Sequence, residues 1–436
     1  MANTTCDRFV TALRVCSIKQ QQDKGDTMKR RMLAAAVITT SLAPALTQAN
    51  EVDDRIDRLE QEIQSLKEAR SGSATGSAQS AADSGTTLSY GGYIKFDGQV
   101  SEYSDGSGAS AGIGEDFLVP STIPVGGSSG DMNTHFNAKE TRLWLKSATQ
   151  TSAGVINGHI EIDFEGGGDG NERVSNSYAP RIRHAYFTWD KWLFGQTWTT
   201  FFNVSALPDL LDFVGPVGTI FVRQAQVRYT SGAFQFALEN PSSTFYSGTQ
   251  NPYDDNQIPD LIARYNFGDA KTNLSASVML RELAYNDGVT DDSDYGYAIS
   301  LAGKIAIGES GDDLRVMINQ GNALGRYMGL NAFRGGAITP AGGVDLIDEW
   351  GVVVAYRHLW DEQWRSSFSV SAAGADNPAE AGLTAAKEYQ TLHANLVYKP
   401  VAALDLGGEL IYGDKEIESG TSGNVTRLQF SAKYAF

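Results

Sequence analysis

Cysteine is nearly absent: the 436 residues hold two, Cys6 and Cys16, both close to the start. The rest of the chain therefore has neither a disulfide framework nor a thiolate metal centre. Basic residues are scarce beside acidic ones, 35 against 52, for a net charge of −17. That is the wrong balance for a nucleic-acid partner, because a phosphate backbone needs a basic surface. Long hydrophobic runs are missing as well. No stretch reaches the ~18 apolar residues of a membrane-crossing helix, and the mean hydropathy is −0.27, which excludes a polytopic helical membrane protein. Abundant instead are glycine, with 46 residues, and aromatics, with 7 Trp, 18 Tyr and 19 Phe. A polar mean with many glycines and aromatics suits an outer-membrane barrel, whose lumen is wet.

The N-terminal part has three segments to set aside before the fold. Met28-Lys29-Arg30-Arg31 is a basic start, Met32 to Leu46 is apolar, and Thr47-Gln48-Ala49 ends in a small residue. Basic, apolar and small-residue parts in that order read as a cleaved signal peptide over 28–49, with 1–27 an upstream, mis-called start. Losing residues 1–49 removes both cysteines, seven basic and three acidic residues, and leaves a mature charge of −21. In 50–70, Val52, Ile56, Leu59, Ile63 and Leu66 repeat at spacings of 4, 3, 4 and 3. This is a heptad seam, and Ile at a with Leu at d alone suggests a dimer. Arg55-Ile56-Asp57-Arg58-Leu59-Glu60, however, resembles a short trimerisation signature. At about three heptads the helix is marginal alone and needs an oligomer to tether it. Residues 71–87 are rich in Gly, Ser and Ala and read as a flexible linker.

From 88 to 436 the period is two. Gly92, Ile94, Phe96, Gly98 and Val100 alternate with Tyr93, Lys95, Asp97, Gln99 and Ser101, and Thr426 to Phe436 repeats the pattern. Sixteen such segments are counted, each about the ten residues that a tilted bilayer strand needs. Short turns are expected at 150–153, 189–191, 230–232, 268–270, 308–312, 360–363 and 399–402. Long loops are expected at 103–135, 166–178, 200–219, 240–257, 285–294, 321–346, 374–385 and 415–424. Short and long connections in alternation, with an apolar face on every strand, are what an up-and-down membrane barrel requires. A soluble sandwich predicts neither. The fold expected is all-β: a 16-stranded antiparallel transmembrane barrel preceded by a short N-terminal coiled-coil helix.

Particular residues carry a family resemblance. The last strand ends in Phe436 with Tyr434 and Phe430 on the same face, which resembles the terminal signature read by the barrel-assembly machinery. Gly195-Gln196-Thr197-Trp198-Thr199-Thr200-Phe201, before Pro208 and Gly215-Pro216, is similar to the point where trimeric porins fold loop three inward. Phe221 to Tyr229 resembles the returning strand six. With the zipper and linker, the mature chain resembles the DcaP-like family of trimeric outer-membrane porins. The resemblance implies a homotrimer in outer-membrane lipid and lipopolysaccharide, with the coiled coil in the periplasm, no cofactor, and uptake of dicarboxylic and related anionic solutes. Phosphate-selective porins share much of the frame, so a phosphate-selective or general porin is the alternative. A barrel-anchored adhesin or tether is a reading of another class.

Enzyme strings are weak. Gly108-Ala109-Ser110-Ala111-Gly112 matches a nucleophile elbow in letters, but an elbow needs a strand before it and a helix after it. A lipolytic barrel would need a Ser/His pair on its outer wall, and no string marks one. The loop acids of Gly166-Gly167-Gly168-Asp169-Gly170-Asn171 and Asp291-Asp292-Ser293-Asp294 lack the spacing of a calcium loop. His159, Glu161 and Asp163 share a strand face, which reads as a hydrogen-bonded wall patch and not as a metal site.

Parity assigns a face to each strand charge. Arg264, Arg281, Lys304, Arg315, Arg357 and Arg365 point inward on strands eight to thirteen, with no inward acid expected among them. Earlier strands add Lys95, Arg142, Lys146, Arg181, Arg183 and Arg228. Inward acids are Asp97, Glu140, Glu161, Asp163, Glu165, Glu239, Asp405 and Glu409, and Asp209 and Asp212 lie in loop three. The expected pore thus sets a basic wall on strands eight to thirteen against an acidic constriction loop, and selects small anions. Arginine suits that wall because its planar fork binds a carboxylate with two parallel hydrogen bonds. Arg223 alone conflicts with its strand, sharing parity with Val227 and Tyr229, and must lie beyond the apolar band or beside a bulge.

Mass analysis of protein purified from membranes is expected to give a mature N-terminus near Asn50. A retained Cys6 or Cys16 overturns the signal reading.

Overall fold

The structure is a computed structural model that describes residues 79–81, 85–110, 112–166, 175–247, 249–250, 256–269, 271–289 and 291–436. The segments read as signal peptide and coiled coil lie outside the described residues. The barrel has sixteen antiparallel strands: β1 Thr86–Tyr103, β2 Asp131–Asn137 continued by Arg142–Thr151, β3 Gly154–Asp163, β4 Arg181–Trp189, β5 Trp192–Trp198, β6 Arg223–Ser231, β7 Phe234–Glu239 and β8 Asp260–Gly268. They are followed by β9 Thr272–Asn286, β10 Asp291–Ile307, β11 Asp312–Gly321, β12 Asp348–Leu359, β13 Trp364–Asp376, β14 Ala386–Val401, β15 Leu404–Ile417 and β16 Ser422–Ala435.

Each strand pairs with its sequence neighbours, and the sheet closes where Tyr93–Tyr103 of β1 meets Val425–Ala435 of β16. Phe436 completes the seam, exchanging two 3.0 Å backbone hydrogen bonds with Gly92. Closure matters because no water is present in hydrocarbon to satisfy an open edge. Below Phe436, Gln79–Ala81 pairs with Thr86–Leu88 of β1, inside the segment read as linker.

Burial is inverted relative to a soluble protein. Ile94, Ile160, Leu280, Val370 and Leu428 are outward and exposed, whereas Lys95, Asp163, Arg183, Glu409 and Arg427 are inward and buried. That follows from alternation on a wall with lipid outside and polar contacts inside.

The structure differs from the sequence reading in three places. The loops expected at 285–294 and 415–424 are mostly strand: β9 and β10 pair out to Asn286 and Asp291, and β15 and β16 out to Glu416 and Ser422. These strand tips are polar on both faces, so alternation fades while hydrogen bonding continues. β2 breaks at 138–141 and resumes with opposite parity, so that Phe136 and Leu143 both face outward. β4 carries a bulge: Glu161 pairs with His184 and Ile162 with Ile182, leaving Arg183 as the extra residue. A bulge of this kind re-aims a side chain, and here both Arg183 and His184 are buried on the inner side.

The lumen holds an apolar core built from two loops. Phe202, Val217 and Ile220 of the 199–222 loop and Tyr327, Met328 and Phe333 of the 322–347 loop pack on Met279, Met317 and Val353 of the wall. Glycine permits the closest approach. A Cβ on Gly218 would fall 2.8 Å from the Val352 backbone nitrogen and 3.0 Å from Ser371 Oγ, so the loop rests directly on β12 and β13. Outside the barrel, Phe245–Ser247, Thr249–Gln250, Gly336–Ile338 and Val344–Leu346 form a small four-stranded sheet over the long-loop end.

Gly218→Leu is therefore expected to lift the 199–222 loop from β12, at an overpacking cost of ~1–3 kcal/mol. The barrel should lose its heat-resistant gel mobility at a lower temperature and show an altered single-channel conductance. Unchanged values in both would refute the packing argument.

Candidate functional site

The 199–222 loop, L3, decides what is left of the lumen, and its path can be traced through its partners. Arg264 of β8 donates to the Phe202 carbonyl at 2.7 Å. Asn203 donates to Ser275 Oγ of β9 at 3.0 Å and to the Ala302 carbonyl of β10 at 3.2 Å. Arg315 of β11 donates to the Leu207 carbonyl. Asp209 meets Arg365 of β13 at 2.9 Å and Arg357 of β12 at 3.9 Å, and its carbonyl accepts from Asn395 of β14. The Leu211 amide donates to Glu409 of β15, while its carbonyl accepts from Gln429 of β16 at 3.0 Å and Lys95 of β1 at 2.7 Å. L3 thus lies along the inner wall from β8 round to β1, one anchor after another, and meets the β2–β6 side chiefly at Thr200, held by Arg228, and through the Phe213 ring, leaving the rest of that side open.

This placement changes the expected roles of the arginines. Arg264, Arg315, Arg357 and Arg365 are turned to L3 and to acids. Arg281 is buried against Asp260 at 2.9 Å and donates to the Ala323 and Ser242 carbonyls. The expectation of no inward acid on β8–β13 does not hold. Asp260, Asp313 and Glu349 all face inward there, and Asp313 meets Arg315 at 2.6 Å and Arg357 at 2.7 Å. All three stand near strand ends: Glu349 reads in sequence as a loop acid, and Asp260 and Asp313 are assigned no face there. Asp212 does not face a basic wall either: it is buried and accepts from the Leu118 and Gly215 amides, tying L3 to the 104–130 loop. Asp209 does meet that wall. Burial works against its charge, but Arg365, with Arg315 and Arg357 behind it, holds its carboxyl below the ordinary range.

The uncovered side is also basic. On β2, Arg142 lies 3.5 Å from Glu161 and over the Tyr93 ring. On β4, Arg181 grips Asp163 with two 2.9 Å bonds, and Arg183 spans Glu161 at 2.7 Å and Asp163 at 2.8 Å. Both guanidiniums face Phe213 of L3 across 5.7 and 5.3 Å. Arg228 makes no ion pair among the described residues and donates to Thr200 Oγ1, Gln226 Oε1 and the Trp198 carbonyl. Arg223, set aside by parity, is the first residue of β6, where L3 rejoins the wall. Its guanidinium lies 4.3 Å over Trp198 and 5.6 Å from Phe221, makes no ion pair among the described residues, and has Nη1 buried without a hydrogen-bond partner.

Between L3 and β1–β5 lies a cavity of about 970 Å³. Its charged lining is Lys146, Lys304 and Arg315, joined by His159 and His184, and no carboxylate borders it. The imidazoles are oriented by hydroxyls, His159 by Tyr186 at 3.2 Å and His184 by Thr197 at 2.9 Å. Behind the L3 tip a second cavity, about 80 Å³, is bordered by Lys95, Glu140, Asp209, Arg365, Asp405 and Lys433. The structure therefore brings Arg142, Arg181 and Arg183 together at one wall, Lys304 and Arg315 at the cavity margin, and Arg264, Arg357 and Arg365 under L3. Sequence reasoning missed Phe213 and the setting of Arg223. The one signal was the parity conflict itself.

Other candidates fall away. Gly108, Ala109 and Ser110 sit in coil beyond the end of β1 at Tyr103, and the helix that follows Gly112, Ile113–Asp116, is a single turn, so Ser110 does not stand on a strand-to-helix elbow. Glu161 and Asp163 are committed to arginines. Residues 167–174, with the Asp169 loop, lie outside the described residues, and Asp291 to Asp294 are strand. The outer wall does hold a Ser/His pair, Ser366 opposite His358, with Asp312 2.8 Å from His358 Nδ1. Ser366 is buried, however, and its Oγ accepts from Trp360 Nε1 at 2.9 Å, so no nucleophile is presented.

A model of the DcaP outer membrane protein family matches residues 36–436. Among solved structures, the outer membrane channel DcaP of Acinetobacter baumannii is 24% identical with a TM-score of 0.70, covering 82% of this chain and 99% of that one. OmpF of Salmonella typhi, in complex with daunomycin, is 12% identical at a TM-score of 0.49, over 81% of this chain and 98% of that one. An anion-selective porin from Comamonas acidovorans is 11% identical at 0.48, over 80% and 100%. No curated protein matches.

Asp209→Asn is expected to loosen the L3 tip and raise open-channel current noise at every pH. A carboxyl held below its ordinary value keeps its ion pairs as the pH falls and loses them only below that range. The unmutated pore should therefore stay quiet through pH ~4, where free Asp titrates, and become noisy only under more acid conditions. Equal noise in both proteins at neutral pH would refute the clamp.

Proposed function

The chain belongs to the DcaP outer membrane protein family, and from that premise we propose that this outer-membrane channel passes small anions, dicarboxylates and aromatic carboxylates above all. The observation that carries the reading is the one-sided L3. By covering β8–β1 it confines solute to the β2–β6 wall, beside a cavity bordered by Lys146, Lys304 and Arg315 and by no carboxylate. Low-dielectric walls focus such a field on the passing solute.

Arg223 and Arg142 are the groups with most to offer a solute. Arg223 has no counter-ion among the described residues, and Arg142 shares Glu161 with Arg183. A diacid can engage two guanidiniums at once, each charge-assisted contact contributing roughly 1.5–3 kcal/mol where water is partly excluded. Phe213 and Trp198, already faced by guanidiniums, give a flat ring a surface to slide along. Binding stays weak, because a channel must release what it binds. The same reading takes the channel as a homotrimer, its Ile56, Leu59, Ile63 and Leu66 helices bundled in the periplasm and Phe436 engaging the assembly machinery. The heptad and the Phe436 seam support it.

Reversal potentials in planar bilayers test the selectivity. The unmutated pore should prefer chloride to potassium, and Arg223→Ala should cut that preference several-fold. Succinate should interrupt the current more often than acetate at equal concentration. Preference for potassium would overturn the reading, and equal response to phosphate and succinate would redraw it as a general anion porin.

A further inference from the structure

The outer wall carries an apolar groove of about 400 Å³ across β5–β9. Its origin is a size mismatch in a cross-strand row. Trp192, Tyr229, Phe236, Ala263 and Val278 stand side by side in register on β5, β6, β7, β8 and β9. Four are bulky, and Ala263 leaves a slot between Phe236 and Val278. The next row, Val227, Leu238, Leu261 and Leu280, walls the slot toward the barrel's middle. On the other side, toward the short turns, Phe234 and Tyr265 pack with ring centroids 4.6 Å apart. Aromatic rows of this kind mark a membrane–water boundary, so the slot lies just inside the hydrocarbon on the periplasmic side.

We propose that this groove seats one acyl chain of a phospholipid in the periplasmic leaflet. Its lining is almost wholly apolar, with polar side-chain atoms only at Trp192 and Tyr229, so it offers a headgroup, a peptide or a solute few hydrogen-bond partners. A flexible hydrocarbon chain needs none. The gain is packing and not the hydrophobic effect, since lipid tails are as apolar as the wall. An unfilled slot forfeits dispersion contacts on every side, and a chain lodged in it regains them. The proposal rests on the outer-membrane setting of the family and is independent of which solute the pore prefers.

The test is native mass spectrometry of protein extracted in mild detergent, then delipidated and re-exposed to dioleoylphosphatidylethanolamine. The unmutated protein is expected to retain the lipid, and Ala263→Trp, which fills the slot, to lose most of the bound fraction. Ala263→Leu is the milder variant if the tryptophan impairs folding, and should lower retention several-fold. Reversal potential and heat-stable gel mobility should match the unmutated protein in both. Equal lipid retention in a folded variant overturns the proposal. So does a change of oligomeric state with retention unchanged, which would assign the groove to a second copy of the chain.

Discussion

An amide left unpaired in hydrocarbon costs several kcal/mol, and the seam between β1 and β16 is where this chain meets that demand. Eleven register pairs join Tyr93–Tyr103 to Val425–Ala435, and Phe436 closes against Gly92. Once the ring is closed, side chains have two destinations only, lipid or lumen. Every later feature is a consequence of what the inward half of each strand does with charge and space.

Most of that inward charge does not face open water. L3 is laid over it, and the bed beneath differs along its length. The root and return rest on Met279, Met317 and Val353. The tip, from Asp209 to Asp212, rests on Lys95, Arg365, Asn395, Glu409 and Gln429. Buried donors and acceptors need partners, and L3's own backbone supplies them. The loop and the polar wall therefore satisfy each other, and the pore is what the loop leaves uncovered.

The sixteen strands and the alternation of turns and loops were legible because lipid on one side imposes a period of two. Parity failed where the chain departs from that period. The break at 138–141 and the bulge at Arg183 each add residues that no alternation count detects. Glu349 reads as a loop acid, and Asp260 and Asp313 are passed over, because a strand's end and a turn's start share the same polar letters. The path of L3 was not legible at all: it depends on partners from ten strands, from β8 round to β1, that parity counting cannot bring together. Thus Arg264, Arg357 and Arg365 lie against L3, and parity said nothing about whether a loop lay between them and the lumen.

The two sets of arginines stand on opposite walls, and this has an evolutionary reading. Residues under L3 are constrained by the loop's shape, so change there is paid in folding. Residues such as Arg142 and Arg223 hold no loop carbonyl, so they can drift without unseating L3. On the proposed reading, substitutions on β2–β6 retune which anions pass while the supports of L3 stay in place.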